Sequence, residues 1–153
     1  MALLSTLLAA GLGAALSLNT QPSPTPGVDE IPFGTTYQGT RSTVMLSPPK
    51  EFNPSESALV DGDRPVATVV TVVNQGNDSM ESFDFLATAT CGGVDAPMIY
   101  DSAGGLNGSS PPGDILPGRK MQWPLGFAVV EEPCELIITL SFGSSDLYFV
   151  GKV

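Results

Sequence analysis

The stretch of residues 65–74, PVATVVTVVN, restricts the possible folds of this chain more than any other. It consists mostly of valine and threonine, whose branched Cβ atoms favour an extended backbone and pack well on a pleated sheet. Alternation along a strand gives it two uncharged faces, formed by Val66, Thr68, Val70 and Val72 and by Ala67, Val69, Thr71 and Val73. The polar sequence NQGND at 74–78 then signals a turn. The pattern predicts an inner strand of a β-sheet.

Further segments share this extended character and are separated by turn residues. They are Ser42–Leu46, 82–91, 98–100, 121–123, 125–129, Glu135–Phe142 and 147–150. The 17 glycines and 14 prolines suit short strands joined by many turns, and an apolar fraction of 42% in 153 residues is enough for one domain core. The sequence therefore predicts an all-β fold, an immunoglobulin-like antiparallel β-sandwich of seven or eight strands.

The chain divides into three predicted parts. Residues 1–18 consist of Met1 and the uncharged run ALLSTLLAAGLGAALSL. Such a run is typical of either a signal peptide or a membrane anchor helix, and both interpretations stay open. Residues 19–40 include QPSPTPG and are predicted to be a proline-rich linker. Residues 41–153 are predicted to form the β-sandwich.

Charge and composition exclude several classes of function. Sixteen acidic and six basic residues give a net charge of −10, which repels nucleic acid. The chain has no histidine, so it lacks the commonest general base and the commonest ligand of zinc and copper. We therefore expect neither an enzyme nor a bound cofactor.

The two cysteines, Cys91 and Cys134, are too far apart in sequence for a CxxC motif or a metal-type spacing. In an oxidising compartment they are expected to form a disulfide, which the chain-entropy model values at about 4 kcal/mol of stability. The alternative is two unpaired thiols buried in the core.

One acidic loop offers a weak candidate for a metal site. Glu56, Asp61 and Asp63 could supply the hard oxygen ligands that calcium prefers. The spacing does not match an EF-hand, and acidic loops are usually just solvated.

Interaction candidates come from aromatic residues and from a long loop. Trp123, Phe142 and Tyr148 are large amphipathic side chains of the kind that dominate interfaces when exposed, although core packing is the favoured role for Trp123. Asp101 and Leu106 belong to a glycine- and serine-rich loop at 101–114. Long loops on a rigid sandwich often carry recognition.

Five short motifs, taken in order, resemble a known family. They are SPPKEFNPS at 47–55, VVTVVN at 69–74, Asp101-Ser102, LPGR at 116–119 and GFAV at 126–129. Together they are similar to the actinobacterial immunoglobulin-like domain of unknown function, which occurs on membrane-tethered or secreted envelope proteins. The resemblance implies a fold like that of the secreted mycobacterial immunoprotective antigens, a location outside the cytoplasm and no catalytic residues. It does not account for the paired cysteines.

These observations predict a non-catalytic extracytoplasmic domain that binds a protein, for example as an accessory subunit of a membrane or cell-envelope assembly. Residues 1–18 would contact the membrane if they are not cleaved. Two alternatives remain open: a self-assembling structural or surface-decorating protein, and a carrier of calcium or a small ligand.

Overall fold

The computed structural model describes residues 29–130 and 133–153, which form ten β-strands and a 3-10 helix at Ser82–Asp84. The strands are β1 (Glu30–Pro32), β2 (Thr36–Gln38), β3 (Ser42–Leu46), β4 (Lys50–Glu51), β5 (Arg64–Asn74), β6 (Phe85–Cys91), β7 (Val94–Asp95), β8 (Lys120–Val129), β9 (Glu135–Phe142) and β10 (Ser145–Lys152). Four of them, β1, β2, β4 and β7, are only two or three residues long and are too short to show an alternating sequence pattern.

The strands form two sheets that pack into a sandwich, as predicted. Sheet one has the order β1-β10-β9-β6-β7. Sheet two has the order β2-β3-β5, and β8 pairs with β5 over nearly its whole length. The short β4 pairs with the first half of β5, so it lies on the same side of β5 as β3. All neighbouring strands are antiparallel except β1, which runs parallel to β10.

The inner-strand prediction for residues 65–74 is confirmed. Strand β5 lies between β3 and β4 on one edge and β8 on the other. Its inward side chains, Val66, Thr68, Val70 and Val72, are buried, while the opposite face is half-buried or exposed. The strand is therefore interior within its sheet and packs on the core through only one face.

The core lies between the two sheets and is built from alternate residues of the long strands. Phe85 of β6, Phe127 of β8 and Phe149 of β10 are among the largest fully buried side chains. Burying an aromatic or branched aliphatic side chain contributes about 1.5–3 kcal/mol relative to leaving it exposed. Because these residues come from both sheets, their burial holds the two layers together.

The sandwich begins earlier than the predicted boundary at residue 41. Strands β1 and β2 lie within the segment 19–40 that was predicted to be a linker. Ile31 is 8% exposed and packs in the core, and a Cβ on Gly151 would come within 2.7 Å of the Phe33 ring. The apolar residues of this segment therefore dock on sheet one. The predicted signal peptide or anchor at 1–18 lies outside the described residues.

Residues 98–100 do not form the strand that was predicted for them. Met98 makes an isolated bridge with Phe127, and Tyr100 makes another with Leu59. The backbone N–H of Ile99 donates to the carbonyl of Gly126 at 2.8 Å. Residues 97–99 follow the edge of β8, and the chain then leaves it. In the described part of the chain, no helix is long and apolar enough to cross a membrane.

Candidate functional site

The acidic loop does not bring its three carboxylates together. Glu56, Asp61 and Asp63 are all exposed. Within residues 29–130 and 133–153, no three or more Asp, Glu or Cys side chains converge as a metal site requires. Their distribution is that of a solvated surface loop.

The buried side chain of Asp101 connects two loops through hydrogen bonds. Its Oδ1 accepts hydrogen bonds from the Ser55 hydroxyl at 2.6 Å and from the Gly104 N–H at 2.9 Å, and its Oδ2 accepts one from the Ser55 N–H at 2.8 Å. These hydrogen bonds, the Ser55 hydroxyl first, hold the pKa of the Asp101 carboxyl below its ordinary value, although burial opposes them. The side chain is 2% exposed, so it is not the surface contact residue that was predicted.

Leu106 belongs to a small second core on the outer face of sheet two. It packs with Ile99 and Ala128, and Phe52 is partly buried against them. Gly126 makes this packing possible because a Cβ there would lie 2.6 Å from Leu106 Cδ1. At 4% exposure Leu106 also cannot be the predicted interaction residue, because its side chain holds the loop onto the sheet.

Trp123 is buried as well, which agrees with the core-packing role favoured for it. The side chain is 4% exposed and meets the Phe85 ring edge to face at 5.4 Å between centroids. Its indole N–H donates to the carbonyl of Ser109 at 2.9 Å, which satisfies its one polar group. This hydrogen bond fixes part of the 101–114 loop against β8.

The predicted disulfide between Cys91 and Cys134 is present. The Cα atoms are 5.5 Å apart, within the usual range for a bridge. Cys91 ends β6, and Cys134 immediately precedes β9. Cys134 also exchanges two backbone hydrogen bonds with Val153 at 3.0 and 3.2 Å. The disulfide therefore joins the end of β6 to the residue before β9, and the hydrogen bonds connect both to Val153, which follows β10.

Phe142 lies at the other end of sheet one, where a cleft of about 400 Å³ opens between the strand ends. The cleft is lined by the β2–β3 turn, the connection between β5 and β6, and the β9–β10 turn. Phe142 is half-buried and stacks on Phe85 at 5.4 Å with an interplanar angle of 19°. The interaction role of Phe142 stays a prediction. The sequence gave no sign of the cleft, because its walls come from three distant segments.

The cleft combines aromatic and polar side chains. Tyr37 and Phe142 contribute rings, and Asp84, Ser79 and Ser144 contribute oxygen atoms. Arg41 also lines it, and its guanidinium donates to the exposed carboxylate of Asp78 at 3.0 Å. An exposed ion pair of this kind contributes little stability, about 0–1 kcal/mol, but it neutralises the charge of Arg41 locally.

Tyr148 lies on a different surface, the outer face of sheet one. By alternation from the buried Leu147 and Phe149 it points away from the core, and it registers opposite Thr139 on β9 and Glu30 on β1. Apart from Glu30 on β1, the outward residues around it on β6, β9 and β10 are uncharged: Leu86, Thr88, Thr90, Ile137, Thr139, Ser141 and Val150. None of these side chains is buried, and Leu86 is 57% exposed.

Sequence reasoning missed this surface apart from Tyr148. The available signal was the second face of each amphipathic strand, where threonine and branched aliphatic residues replace the charged residues usual on a solvated sheet. Charges lie at the margin, at Glu30, Asp146, Asp95 and the facing pair Glu135 and Lys152. The surface thus has an uncharged centre and a mostly acidic rim.

Comparison with known proteins identifies the fold alone. No family model matches the chain, and no curated protein matches it. Among solved structures, yjhA of Bacillus subtilis has a TM-score of 0.59 at 13% identity, covering 78% of this chain and 97% of that one. The mycobacterial protein MPT63, a secreted protein from Mycobacterium tuberculosis, has a TM-score of 0.56 at 16% identity, covering 84% and 100%.

A third similar structure is ycdA of Bacillus subtilis, a predicted lipoprotein, with a TM-score of 0.57 at 19% identity. The match covers 78% of this chain but spans only 38% of that protein's length. The predicted β-sandwich fold is shared with MPT63, a secreted mycobacterial protein. The membership in an actinobacterial family stays a prediction.

Proposed function

We propose that this chain is a non-catalytic extracytoplasmic domain that binds a protein partner through the outer face of sheet one. The observation that carries the proposal is the set of exposed or half-buried uncharged side chains around Tyr148 and Thr139. Protein interfaces have centres depleted in charge and enriched in tyrosine, with polar rims. The surface meets that description more closely than the acidic loops do.

Charge complementarity defines the partner. Glu30 and Asp146 lie at one margin of the face and Asp95 lies at the other. The whole chain has a net charge of −10. A partner with an uncharged patch surrounded by lysine or arginine would be attracted at long range and would fit at contact. An accessory role in a membrane or envelope assembly is compatible with such a partner.

Location outside the cytoplasm is supported by the disulfide. Bridges such as Cys91–Cys134 form and persist in oxidising compartments and are rare in the cytosol. The similar structures include a secreted protein and a predicted lipoprotein, which is compatible with the same location. Alkylation of intact cells before lysis tests it: both thiols should stay unmodified until a reductant is added.

The absence of catalysis is supported by the chemistry of the chain. It contains no histidine, and the buried carboxylate of Asp101 is already occupied by three hydrogen bonds from Ser55 and Gly104. A carboxylate held in this way is stabilised in its charged form and is a poor proton acceptor.

Site-specific photocrosslinking in cells that make the full chain tests the binding surface. Thr139→p-benzoylphenylalanine places a reactive group at the centre of the outer face of sheet one. Gln122→p-benzoylphenylalanine is the matched control, because Gln122 is exposed on the outer face of sheet two. We expect one discrete crosslinked product at position 139 and none at position 122.

The mass of the product distinguishes the alternatives. A product that contains a second protein supports the proposal, and a product of two copies of this chain would replace it with self-assembly. Equal crosslinking at both positions, or none at position 139, would contradict it.

A further inference from the structure

The cleft between the strand ends is a second candidate site, separate from the outer face of sheet one. Its volume of about 400 Å³ lies within the range of small-molecule sites, about 300–1,000 Å³. It is formed where Ser42, Asn74, Phe85 and Phe142 begin or end their strands. Its walls are therefore fixed to both sheets, and it does not depend on a single loop.

An aromatic platform forms one wall. Phe85 is buried beneath Phe142, and the two rings are nearly parallel, 5.4 Å apart. Phe142 is only partly buried and lines the cleft together with Tyr37. A ring whose lower face rests on the core keeps its orientation, so it can support an apolar ligand surface without losing conformational freedom.

Oxygen atoms without a protein partner surround this platform. The Asp84 carboxylate, the Tyr37 hydroxyl and the hydroxyls of Ser79 and Ser144 make no side-chain hydrogen bond to another residue in the part of the chain that the structure describes. The carboxylate is an acceptor, whereas each hydroxyl both donates and accepts. The set matches a ligand that itself carries several hydroxyl groups.

The local charge selects against an anionic ligand. Arg41 is paired with Asp78 at 3.0 Å, and Asp84 adds an exposed carboxylate to the same cleft. The net charge of −10 on the whole chain acts in the same direction. A carboxylated or phosphorylated ligand would therefore meet a net negative site.

We propose that this cleft binds a neutral saccharide. A pyranose ring presents an apolar face of C–H groups, which can stack on Phe142, and a rim of hydroxyls that donate to Asp84 and exchange hydrogen bonds with Ser144 and Tyr37. The assignment is independent of the protein-binding surface, because Tyr148 points away from the core on the outer face of sheet one.

Titration of the full isotope-labelled chain, followed by amide NMR signals, tests the assignment. The neutral probes are maltotriose, cellotriose and triacetylchitotriose, and glucuronic acid is the anionic comparison. At least one neutral probe should shift the signals of Gly39, Gly143 and Ser144, which line the cleft. A response to glucuronic acid alone, or no response at these residues to any neutral probe, would overturn the assignment.

Two variants and one control establish where the ligand lies. Phe142→Ala removes the platform, and Asp84→Ala removes an exposed acceptor without touching the core. Each should weaken binding by about tenfold or more, since a hydrogen bond to a charged group contributes roughly 1.5–3 kcal/mol. Tyr148→Ala should bind as the original chain does. Unchanged affinity in both cleft variants would overturn the assignment. Asp84→Ala keeps this test valid even if Phe142→Ala is partly unfolded, because it does not change the core.

Discussion

The outer faces of the two sheets differ although both sheets contribute equally to one core. On sheet two, the chain folds back and buries Leu106 and Ile99 over Gly126 and Ala128. On sheet one, none of the outward side chains of the described strands is buried. Asp101, one of the predicted interaction residues, holds the covering loop in place. A long polar loop can therefore be part of the scaffold, and a plain strand surface can be the part that is free to bind.

Leu106→Ala and Leu86→Ala compare how much a leucine contributes to stability on the outer face of sheet two and on that of sheet one. Leu106 is 4% exposed and Leu86 is 57% exposed. Loss of a buried leucine costs about 2–5 kcal/mol, whereas an exposed substitution changes stability by no more than about 0.5 kcal/mol. Urea unfolding should show a large drop for Leu106→Ala only. Similar values for both variants would mean that the covering loop adds no packing.

Gly126→Ala tests the close approach of the loop to sheet two. Its Cβ would lie 2.6 Å from Leu106 Cδ1 and 3.4 Å from Ile99 Cβ, so the Leu106 side chain must shift. Overpacking of this kind costs about 1–3 kcal/mol. Gly113→Ala is the control, because no atom lies within 4 Å of its Cβ. Equal unfolding midpoints in urea for the two variants would contradict the tight packing.

The Asp101 carboxyl should make stability depend on pH in the acidic range. Its folded-state pKa is lowered by Ser55 and Gly104, so its contribution is complete above the ordinary aspartate pKa and is lost as the pH falls through the lowered value. Asp101→Asn removes the charge and points an amide toward the Ser55 N–H. We expect this variant to be less stable at neutral pH.

The difference in unfolding free energy between the original chain and Asp101→Asn separates the contribution of Asp101 from that of the other carboxylates. It should shrink as the pH falls from about 7 to about 3. Chemical denaturation at a series of pH values measures it. A difference that stays constant over that range would show that the charge of Asp101 does not stabilise the fold.

Thr139→Ala should have the smallest effect on stability. Thr139 lies at the centre of the outer face of sheet one and is half-buried by its neighbours. A change within about 0.5 kcal/mol is expected, because no polar partner is lost. If the outer face binds a protein, complex formation with that partner should weaken while the unfolding midpoint is retained. A marked loss of stability would show that this face also contributes to folding.

Much of the fold was predictable because the long strands have a strict period of two. Residues 65–74 supplied the inner strand, and Ser42–Leu46 and Glu135–Phe142 were predicted with the bounds that the structure has. The short strands were not predictable, since Glu30–Pro32 pairs through backbone atoms that carry no sequence signal. Core packing, the favoured role for Trp123, is confirmed by its burial.

The candidate sites were less predictable for a physical reason. Each arises from residues that lie far apart in sequence and meet only after the sheets have formed. Tyr37, Asp84 and Phe142 line one cleft, but no local pattern links them. The hydrogen bond between Ser55 and Asp101 likewise spans 46 residues, so the loop looked accessible in sequence.

The position of the disulfide implies that the two ends of sheet one open at different rates. Cys91 ends β6 at the joined end, and Phe85 begins the same strand at the cleft. Local openings that expose amides to solvent should start at the end without the covalent link. Amide hydrogen exchange is therefore expected to be faster near Phe85 and Phe142 than near Leu136. A ligand bound in the cleft is then expected to slow amide hydrogen exchange near Phe85 and Phe142.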